Sequence, residues 1–207
     1  MRIIDKHTWS RQAHFEFFNT FVDPYFGVTF KVDVTKAYEF SRSSEVSFFV
    51  KYLHATMQAI NEIENFKYRI NDSNDVVLYD TIHASATILR PNKTFGFSFV
   101  NYDEDILKFQ TNFLKEKERI FNSNELFPPV NSMGCVHCSS LPWVNFTGHK
   151  EPFNGEKDSI PKLAFSKMEN FGSKKEMQVA ISVNHALVDG YHIGLLNERL
   201  QFHLNSH

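Results

Sequence analysis

The clearest pattern of apolar and polar positions spans residues 179–204, and its period changes part of the way along. Apolar residues first recur at every second position, which predicts a half-buried strand; they are Val179, Ile181 and Val183. Beyond Gly190 they recur three or four positions apart, which predicts the buried face of a helix; they are Ile193, Leu196, Leu200 and Leu204. The segment between the two is therefore a turn at the end of a strand.

The rest of the chain predicts further strands and helices that come in groups. Helical spacing of apolar residues predicts helices over residues 8–20, 45–65 and 103–121, with Ser44 as the cap of the second. Alternation and turn residues predict strands over residues 27–34, 67–70, 76–79, 85–89 and 95–100, the second and third forming a hairpin, and an extended run over residues 134–140. Because strands do not alternate strictly with helices, we predict an α/β chain of the α+β type, a mixed β-sheet with helices packed on it.

Length, charge and hydropathy restrict the class of protein. With 207 residues the chain is long enough for one sizeable core, and we predict a single domain over residues 1–207. A formal charge of -2 and a pI near 6.5 give no basic field for nucleic acid or an anionic membrane. No apolar run is long enough to span a membrane, and the first residues lack a hydrophobic signal region. We therefore expect a cytoplasmic protein whose partner is small or neutral.

Phenylalanine is the unusual feature of the composition. The chain contains 22 Phe, and aromatic residues make up 15% of it. Core packing accounts for many of these rings, and so large a number also suits an apolar pocket for an aromatic ligand.

The turn at residues 185–190 carries the candidate chemistry. His185 follows directly on the strand, and Asp189 lies just before the glycine that opens the helix. An imidazole titrates near physiological pH and takes a proton from a hydroxyl when its tautomer and ring angle are fixed. We therefore interpret His185 as a candidate general base. Asp189 either bonds the imidazole or bonds another group and holds the shape of the loop, and a loop histidine beside a turn aspartate is the alternative without catalysis.

A second motif, Cys135-Val-His-Cys138, has the spacing of metal and redox sites. The chain has only these 2 cysteines, so no further pair completes four ligands. In an extended run, positions three apart point to opposite faces. We therefore predict two reduced, buried thiols, with neither a metal ion nor a disulfide.

Four blocks of sequence occur in an order that is specific to one family. They are WSRQAHFEFF at residues 9–18, LFP at 126–128, SLPWVNF at 140–146 and HxxxDGxH at 185–192. In these blocks, which are spread over most of the length of the chain, the sequence resembles the chloramphenicol acetyltransferase family. The resemblance implies a homotrimeric enzyme of antibiotic resistance that moves an acetyl group from acetyl-CoA to a hydroxyl.

The resemblance assigns roles to four residues by their positions. His185 matches the family's general base, and Ser139 matches the serine whose hydroxyl stabilises the tetrahedral intermediate. Asp189 matches a structural aspartate whose partner matches Arg11, so an ion pair ties the first helix to the loop. The implied chemistry uses no metal and no covalent enzyme intermediate: the histidine takes the hydroxyl proton and the serine donates to the oxyanion.

The resemblance also implies where the two substrates bind. In the family the active site lies between subunits of a trimer, with the histidine from one subunit and most of the acceptor pocket from its neighbour. Lys167 occupies a place consistent with a contact to a CoA phosphate. The residues at acceptor-pocket positions are Phe17, Phe18, Phe26, Phe95 and Phe127.

Four positions depart from the family's pattern. The histidine that usually precedes the base is Asn184 here, and the cysteine before the aspartate is Val188; neither change removes the base or its support. Two hydroxyls of the acceptor site are lost, because Phe18 replaces a tyrosine and Ala164 a threonine. The acceptor is therefore chloramphenicol or, as the alternative, a different hydroxyl compound. A non-catalytic binding protein of the same fold is the third reading, and the retained base and serine argue against it.

Overall fold

A computed structural model describes residues 1–206 and shows a mixed sheet with helices packed against it. The helices are α1 Gln12–Phe18, α2 Thr35–Ser43, α3 Phe48–Glu62, α4 Ile106–Phe121 and α5 Gly190–Asn205, with a short 3-10 helix at Glu64–Lys67. The strands are β1 Arg2–Ile3, β2 Tyr25–Asp33, β3 Tyr68–Ile70, β4 Val76–Leu78, β5 His83–Leu89, β6 Phe95–Phe97, β7 Cys135–Ser140, β8 Lys162–Phe165, β9 Glu169–Phe171 and β10 Lys174–Asn184.

The strands form two sheets, and the larger one is mixed. Its strands lie in the order β2, β10, β8, β7, β5 and β6, and β9 pairs with the first residues of β10. Strand β7 runs parallel to both of its neighbours, whereas the other pairs are antiparallel. The smaller sheet is antiparallel and has the order β1, β4, β3. The predicted α+β class with a mixed sheet is confirmed.

The two faces of the larger sheet differ in chemistry. One face packs against α3, α4 and α5 in a single hydrophobic core, to which every second residue of β10 contributes. The alternating positions face the other way. In one row across four neighbouring strands these positions hold Thr29, Ala180, Ala164 and Ser139. The face that points away from the core therefore carries small side chains in this row, two alanines flanked by two hydroxyl residues.

Most of the predicted elements are present, and capping groups set their ends. The strand, turn and helix over residues 179–204 and the hairpin of β3 and β4 are confirmed. The two strands predicted over residues 85–89 and 95–100 are present as β5 and the shorter β6, and they pair with each other. Helix α4 is also confirmed and begins at its cap, Asp105, whose carboxylate accepts the N–H groups of Leu107 and Lys108. The predicted cap of α3 is wrong. Helix α2 ends just before Ser44, which leaves that residue in extended backbone, and Ser47 caps α3 instead.

The first helix is shorter than the predicted residues 8–20. Thr8 is held in a turn by hydrogen bonds to Asp5, and α1 begins only at Gln12. Helix α2 is absent from the sequence prediction; it is short and polar on average, and Ala37 is its one fully buried residue. The short strands β1, β8 and β9 also go unpredicted. No helix within residues 1–206 is long and apolar enough to cross a membrane.

The two cysteines of β7 are free, buried thiols, as predicted. Cys138 belongs to the hydrophobic core, whereas Cys135 faces the other side of the strand. Burial raises the pKa of the Cys135 thiol to about 11 and raises that of Cys138 further. Both groups are therefore protonated at physiological pH. Within residues 1–206, no three His, Cys, Asp or Glu side chains are placed to hold one metal ion.

Candidate active site

The loop between β10 and α5 is fixed by the backbone around it. The N–H of His185 donates to the carbonyl oxygen of Pro24 at 2.9 Å. The side-chain oxygen of Asn184 accepts the N–H of Ala186 at 3.0 Å, and its amide nitrogen donates to the carbonyl oxygen of Asp158 at 2.9 Å. Residues 186–188 are buried in the core. The end of β10 therefore holds His185 at a fixed place at the edge of the core.

Aromatic rings set the orientation of the His185 imidazole. Phe18 of α1 stacks on it with a centroid distance of 3.9 Å and an interplanar angle of 10°, and Phe26 of β2 lies at 4.4 Å. Phe17 packs edge-on against Phe18 at 5.0 Å. The Nδ1 atom of His185 is buried and has no hydrogen-bond partner within residues 1–206. Packing, and not a carboxylate, therefore fixes the angle of this ring.

Asp189 caps α5 and pairs with an arginine. One carboxylate oxygen accepts the N–H of Tyr191 at 3.1 Å, and the other lies 2.7 Å from Nη1 of Arg11. Burial raises the pKa of this carboxyl, but the Arg11 hydrogen bond and nearby charges outweigh burial and hold the pKa below its usual value. Of the two roles left open for Asp189, the geometry favours the one that holds the shape of the loop.

His192 completes a capping box with Asp189. The backbone N–H of Asp189 donates to Nδ1 of His192 at 3.1 Å. The same nitrogen lies 2.9 Å from a carboxylate oxygen of Asp189, and it cannot accept the N–H and donate to that oxygen at once. Burial lowers the pKa of His192, which favours the neutral ring that accepts.

Arg11 connects the start of the chain to both ends of the loop. Its Nη1 binds Asp189, and its Nη2 lies 3.4 Å from the carbonyl oxygen of His185. Arg11 is 9% exposed, and it immediately precedes α1, the helix that also carries Phe18. The predicted ion pair is therefore present. Its arginine lies next to α1, the helix whose Phe18 ring stacks on the imidazole.

Ser139 lies far from His185 within one chain. It is half-buried on the face of β7 that points away from the core, level with Ala164 of β8, which in turn pairs with Ala180 of β10. His185 follows Ala180 by five positions. About 17 Å of strand and two strand spacings of about 4.8 Å thus separate the two residues, or about 20 Å in all. One chain does not bring the predicted base and oxyanion donor together.

Phe95 and Phe127 are likewise far from the base. Each contacts Phe97 of β6 at a ring distance of 5.4 Å, and both are exposed. Because β2 and β6 are at opposite ends of the strand order, five strand spacings, about 24 Å, lie between this group and Phe26. The five predicted acceptor residues therefore form two groups at opposite edges of the sheet.

Lys167 follows β8 and has an exposed side chain. Its backbone N–H donates to the carbonyl oxygen of Val144 at 2.9 Å. This hydrogen bond places Lys167 beside the SLPWVNF block, in which Trp143 is 68% exposed. An exposed cation and an exposed ring thus stand near the strand that carries Ser139.

The structure contains a cavity beside Phe26 that the sequence analysis does not predict. Its volume is about 390 Å³, and its walls include Tyr25, Ser182 and Lys162. Lys162 forms an ion pair of 2.8 Å with Asp158. The sequence feature that points to this cavity is the alternation of side chains along β8 and β10. It turns Lys162 and Ser182, which are paired across the two strands, away from the core.

Comparison with known proteins places the chain among its relatives. A family model described as Chloramphenicol acetyltransferase matches residues 1–201. Chloramphenicol acetyltransferase 3 of Escherichia coli is 28% identical over 205 residues, which are 98% of this chain and 96% of that protein. A chloramphenicol acetyltransferase of Proteus mirabilis is 27% identical over 207 residues, or 97% of this chain and 93% of that protein. A solved structure of a chloramphenicol acetyltransferase superposes with a TM-score of 0.87 at 28% identity, covering 98% of this chain and 99% of that one. The chain therefore belongs to the chloramphenicol acetyltransferase family.

Proposed function

We propose that the chain is an O-acetyltransferase that moves the acetyl group of acetyl-CoA to a hydroxyl of chloramphenicol, as an enzyme of antibiotic resistance. The family and the relatives support acetyl transfer and make chloramphenicol the first acceptor to test. The observation that carries the proposal is the fixed place of His185, stacked on Phe18 in a loop that Arg11 holds. A cytoplasmic location, where acetyl-CoA is available, fits this activity.

His185 acts as the general base of the proposed reaction. It takes the proton of the acceptor hydroxyl while that oxygen attacks the thioester carbon. The new C–O bond forms, the C–S bond breaks, and the proton passes from the imidazole to the leaving thiolate. Ser139 donates a hydrogen bond to the oxyanion of the tetrahedral intermediate. General-base catalysis contributes about 10²–10⁴-fold and one oxyanion donor about 10²–10³-fold, so the loss of His185 costs more activity.

The separation of Ser139 from His185 supports an active site shared between subunits. Two groups about 20 Å apart in one chain cannot act on the same thioester, whereas a second copy can supply its own serine. We therefore propose a homotrimer in which each site combines the base of one subunit with the Ser139, Phe95 and Phe127 of its neighbour. Light scattering should give the mass of a trimer, and a monomeric mass in an active preparation would exclude the shared site.

Lys167 is proposed to contact a phosphate of acetyl-CoA. Its side chain is exposed and lies near the strand of Ser139, the residue that acts on the thioester. An ammonium group suits an anionic phosphate, and this contact would anchor the co-substrate beside the oxyanion donor.

The proposal is tested by thiol release from acetyl-CoA in the presence of chloramphenicol. The wild-type protein should release thiol, and His185→Ala should lose that activity while keeping its fold and its affinity for CoA. His7→Ala, which replaces an exposed histidine outside the site, is the matched control and should behave as wild type. Near wild-type turnover in His185→Ala would show that His185 is not the base.

A second acceptor is favoured by one observation. Phe18, whose ring lies against the base, and Ala164, in the row that contains Ser139, both lack the hydroxyl usual at their positions. An acetyltransferase of the same type that acts on a different hydroxyl compound would explain both changes. The thiol-release assay with a panel of alcohols separates the two acceptors, because the preferred one gives the higher kcat/KM.

A further inference from the structure

We propose that Lys162 determines acceptor specificity, and that the preferred acceptor is a neutral molecule with several hydroxyl groups, of the saccharide or polyol class. The inference rests on the proposed acetyl transfer at His185 and develops the second acceptor proposed above, a hydroxyl compound other than chloramphenicol. One hydroxyl becomes the acetyl ester and gives its proton through His185 to the CoA thiolate. The remaining hydroxyls are unchanged by the reaction and bind the acceptor to the cavity beside Phe26.

The Phe26 side chain separates this cavity from the base, His185. The ring of Phe26 forms part of its wall and lies 4.4 Å from that of His185. Ser182 and Lys162 are paired residues of β10 and β8 that also line the cavity. An acceptor in this cavity therefore contacts Phe26, the ring that packs on the imidazole, and has its other groups within reach of a hydroxyl and an ammonium.

Lys162 is held in place from two sides. Its Nζ lies 2.8 Å from a carboxylate oxygen of Asp158 and 4.7 Å from the centre of the Tyr25 ring. That ring is fixed in turn, because the Tyr25 hydroxyl donates to the carbonyl oxygen of Ile160 at 2.9 Å. The side chain of Lys162 is only 17% exposed. A side chain that is already ordered loses little entropy on binding, and an ammonium with three N–H groups retains donors for a ligand.

The wall of the cavity carries charges of both signs. Lys150 and Lys162 are its lysines, and Asp23 and Glu151 are its carboxylates. Because Lys162 is also paired with Asp158, the wall has no excess of positive charge that would favour an anionic acceptor. Ammonium groups donate hydrogen bonds, carboxylates accept them, and a hydroxyl group does both. An acceptor with several hydroxyls can bond to the donors and acceptors that these wall groups still have free, whereas a mostly apolar one cannot.

A second cavity with polar walls lies beside Asp158, the partner of Lys162 in the ion pair. It has a volume of about 420 Å³ and is lined by Asp158. Its other amide and carboxylate residues are Asn19, Asn71, Asp72, Asn74, Glu156 and Asn184. Hydrogen-bonding groups therefore line the space on both sides of the pair.

The test compares acceptors in the wild-type enzyme and in Lys162→Met by thiol release. The hydroxyl-rich probes are methyl α-glucopyranoside, maltose and sorbitol, and chloramphenicol is the reference. We expect the wild type to prefer at least one probe over chloramphenicol. Lys162→Met should lower kcat/KM for that probe by about 10- to 100-fold, chiefly through KM, because a hydrogen bond from a charged donor is lost. Lys115→Met, which replaces an exposed lysine of α4, is the matched control and should change neither value.

Two further variants separate specificity from folding. Lys162→Met leaves Asp158 without its partner, so the double variant Lys162→Met with Asp158→Asn is measured beside it, and each is checked by thermal melting. Lys162→Arg keeps a cationic donor and should keep the preference for the probe. If kcat/KM for the hydroxyl-rich probes is unchanged in a folded Lys162→Met protein, the inference is overturned.

Binding without turnover distinguishes this inference from the proposed function. In His185→Ala, at least one of the three hydroxyl-rich probes should still raise the melting temperature, and the added change Lys162→Met should remove that effect. Transfer to chloramphenicol without transfer to, or binding of, any hydroxyl-rich probe would overturn the inference and leave the proposed function standing. Protection by such a probe without transfer to any acceptor would overturn the proposed function and support Lys162 as a binding residue.

Discussion

Arg11 and Asp189 form an ion pair of 2.7 Å although they lie 178 positions apart in the sequence. The other arm of the guanidinium reaches the carbonyl oxygen of His185. The two side chains are 11% and 29% exposed, so solvent screens the pair only in part. One arginine therefore fixes both the residue that begins the loop and the residue that ends it.

Asp189→Asn should reduce both stability and activity. The amide can still accept the Tyr191 N–H, but Arg11 is left without a counter-charge, which costs about 1–4 kcal/mol, between the values for exposed and buried pairs. Arg11→Val should give a similar loss. Melting temperature and thiol release are measured together, with Arg42→Val, at an exposed arginine of α2, as the control. A variant that lost activity while melting like wild type would show that Asp189 acts on His185 directly.

The contribution of the Asp189 ion pair should also depend on pH. The pKa of Asp189 is lowered in the folded protein. Its contribution to stability is therefore complete above the unfolded pKa of about 3.9 and is lost as the pH falls through the folded value. We expect the difference in melting temperature between wild type and Asp189→Asn to stay constant above about pH 5 and to narrow as the pH falls from about 5 to about 3 and below. A constant difference over this range would mean that the charge of Asp189 does not stabilise the fold.

Ser139→Ala should lower turnover more than it weakens acceptor binding. A donor aimed at a charge that exists only in the transition state contributes little to the ground state. We expect kcat to fall by about 10²–10³-fold with a KM close to that of wild type. Ser43→Ala, at the end of α2, is the control. Unchanged turnover with a much higher acceptor KM would assign Ser139 to binding.

The sequence reveals elements whose burial follows a local period. The strand and helix on either side of His185 were predictable because core-facing residues recur every second position in one and every third or fourth in the other. The pair of Arg11 and Asp189 follows from no local pattern and was predicted only from the resemblance to a family. The cap of α3 required knowing where α2 ends, because Ser44 and Ser47 are both suitable capping residues.

Distances across the sheet were not predictable, because they depend on strand order and register. Strand β8 has only four residues and was not predicted, yet it separates the strand of Ser139 from the strand that leads to His185. The contact of Lys162 with Asp158 also depends on this strand and on the loop before it. Local apolar patterns carry no information about the distance between Ser139 and His185 or about the contact of Lys162 with Asp158.

Complementation between two inactive variants tests directly whether each active site takes its base from one chain and its oxyanion donor from another. His185→Ala and Ser139→Ala are unfolded, mixed in equal amounts, refolded together and assayed for thiol release. In a cyclic trimer with sites between neighbours, random mixing leaves both residues intact in about a quarter of the sites. We expect about a quarter of wild-type activity, far above that of either variant refolded alone. Activity in the mixture no higher than the average of the two variants would contradict it.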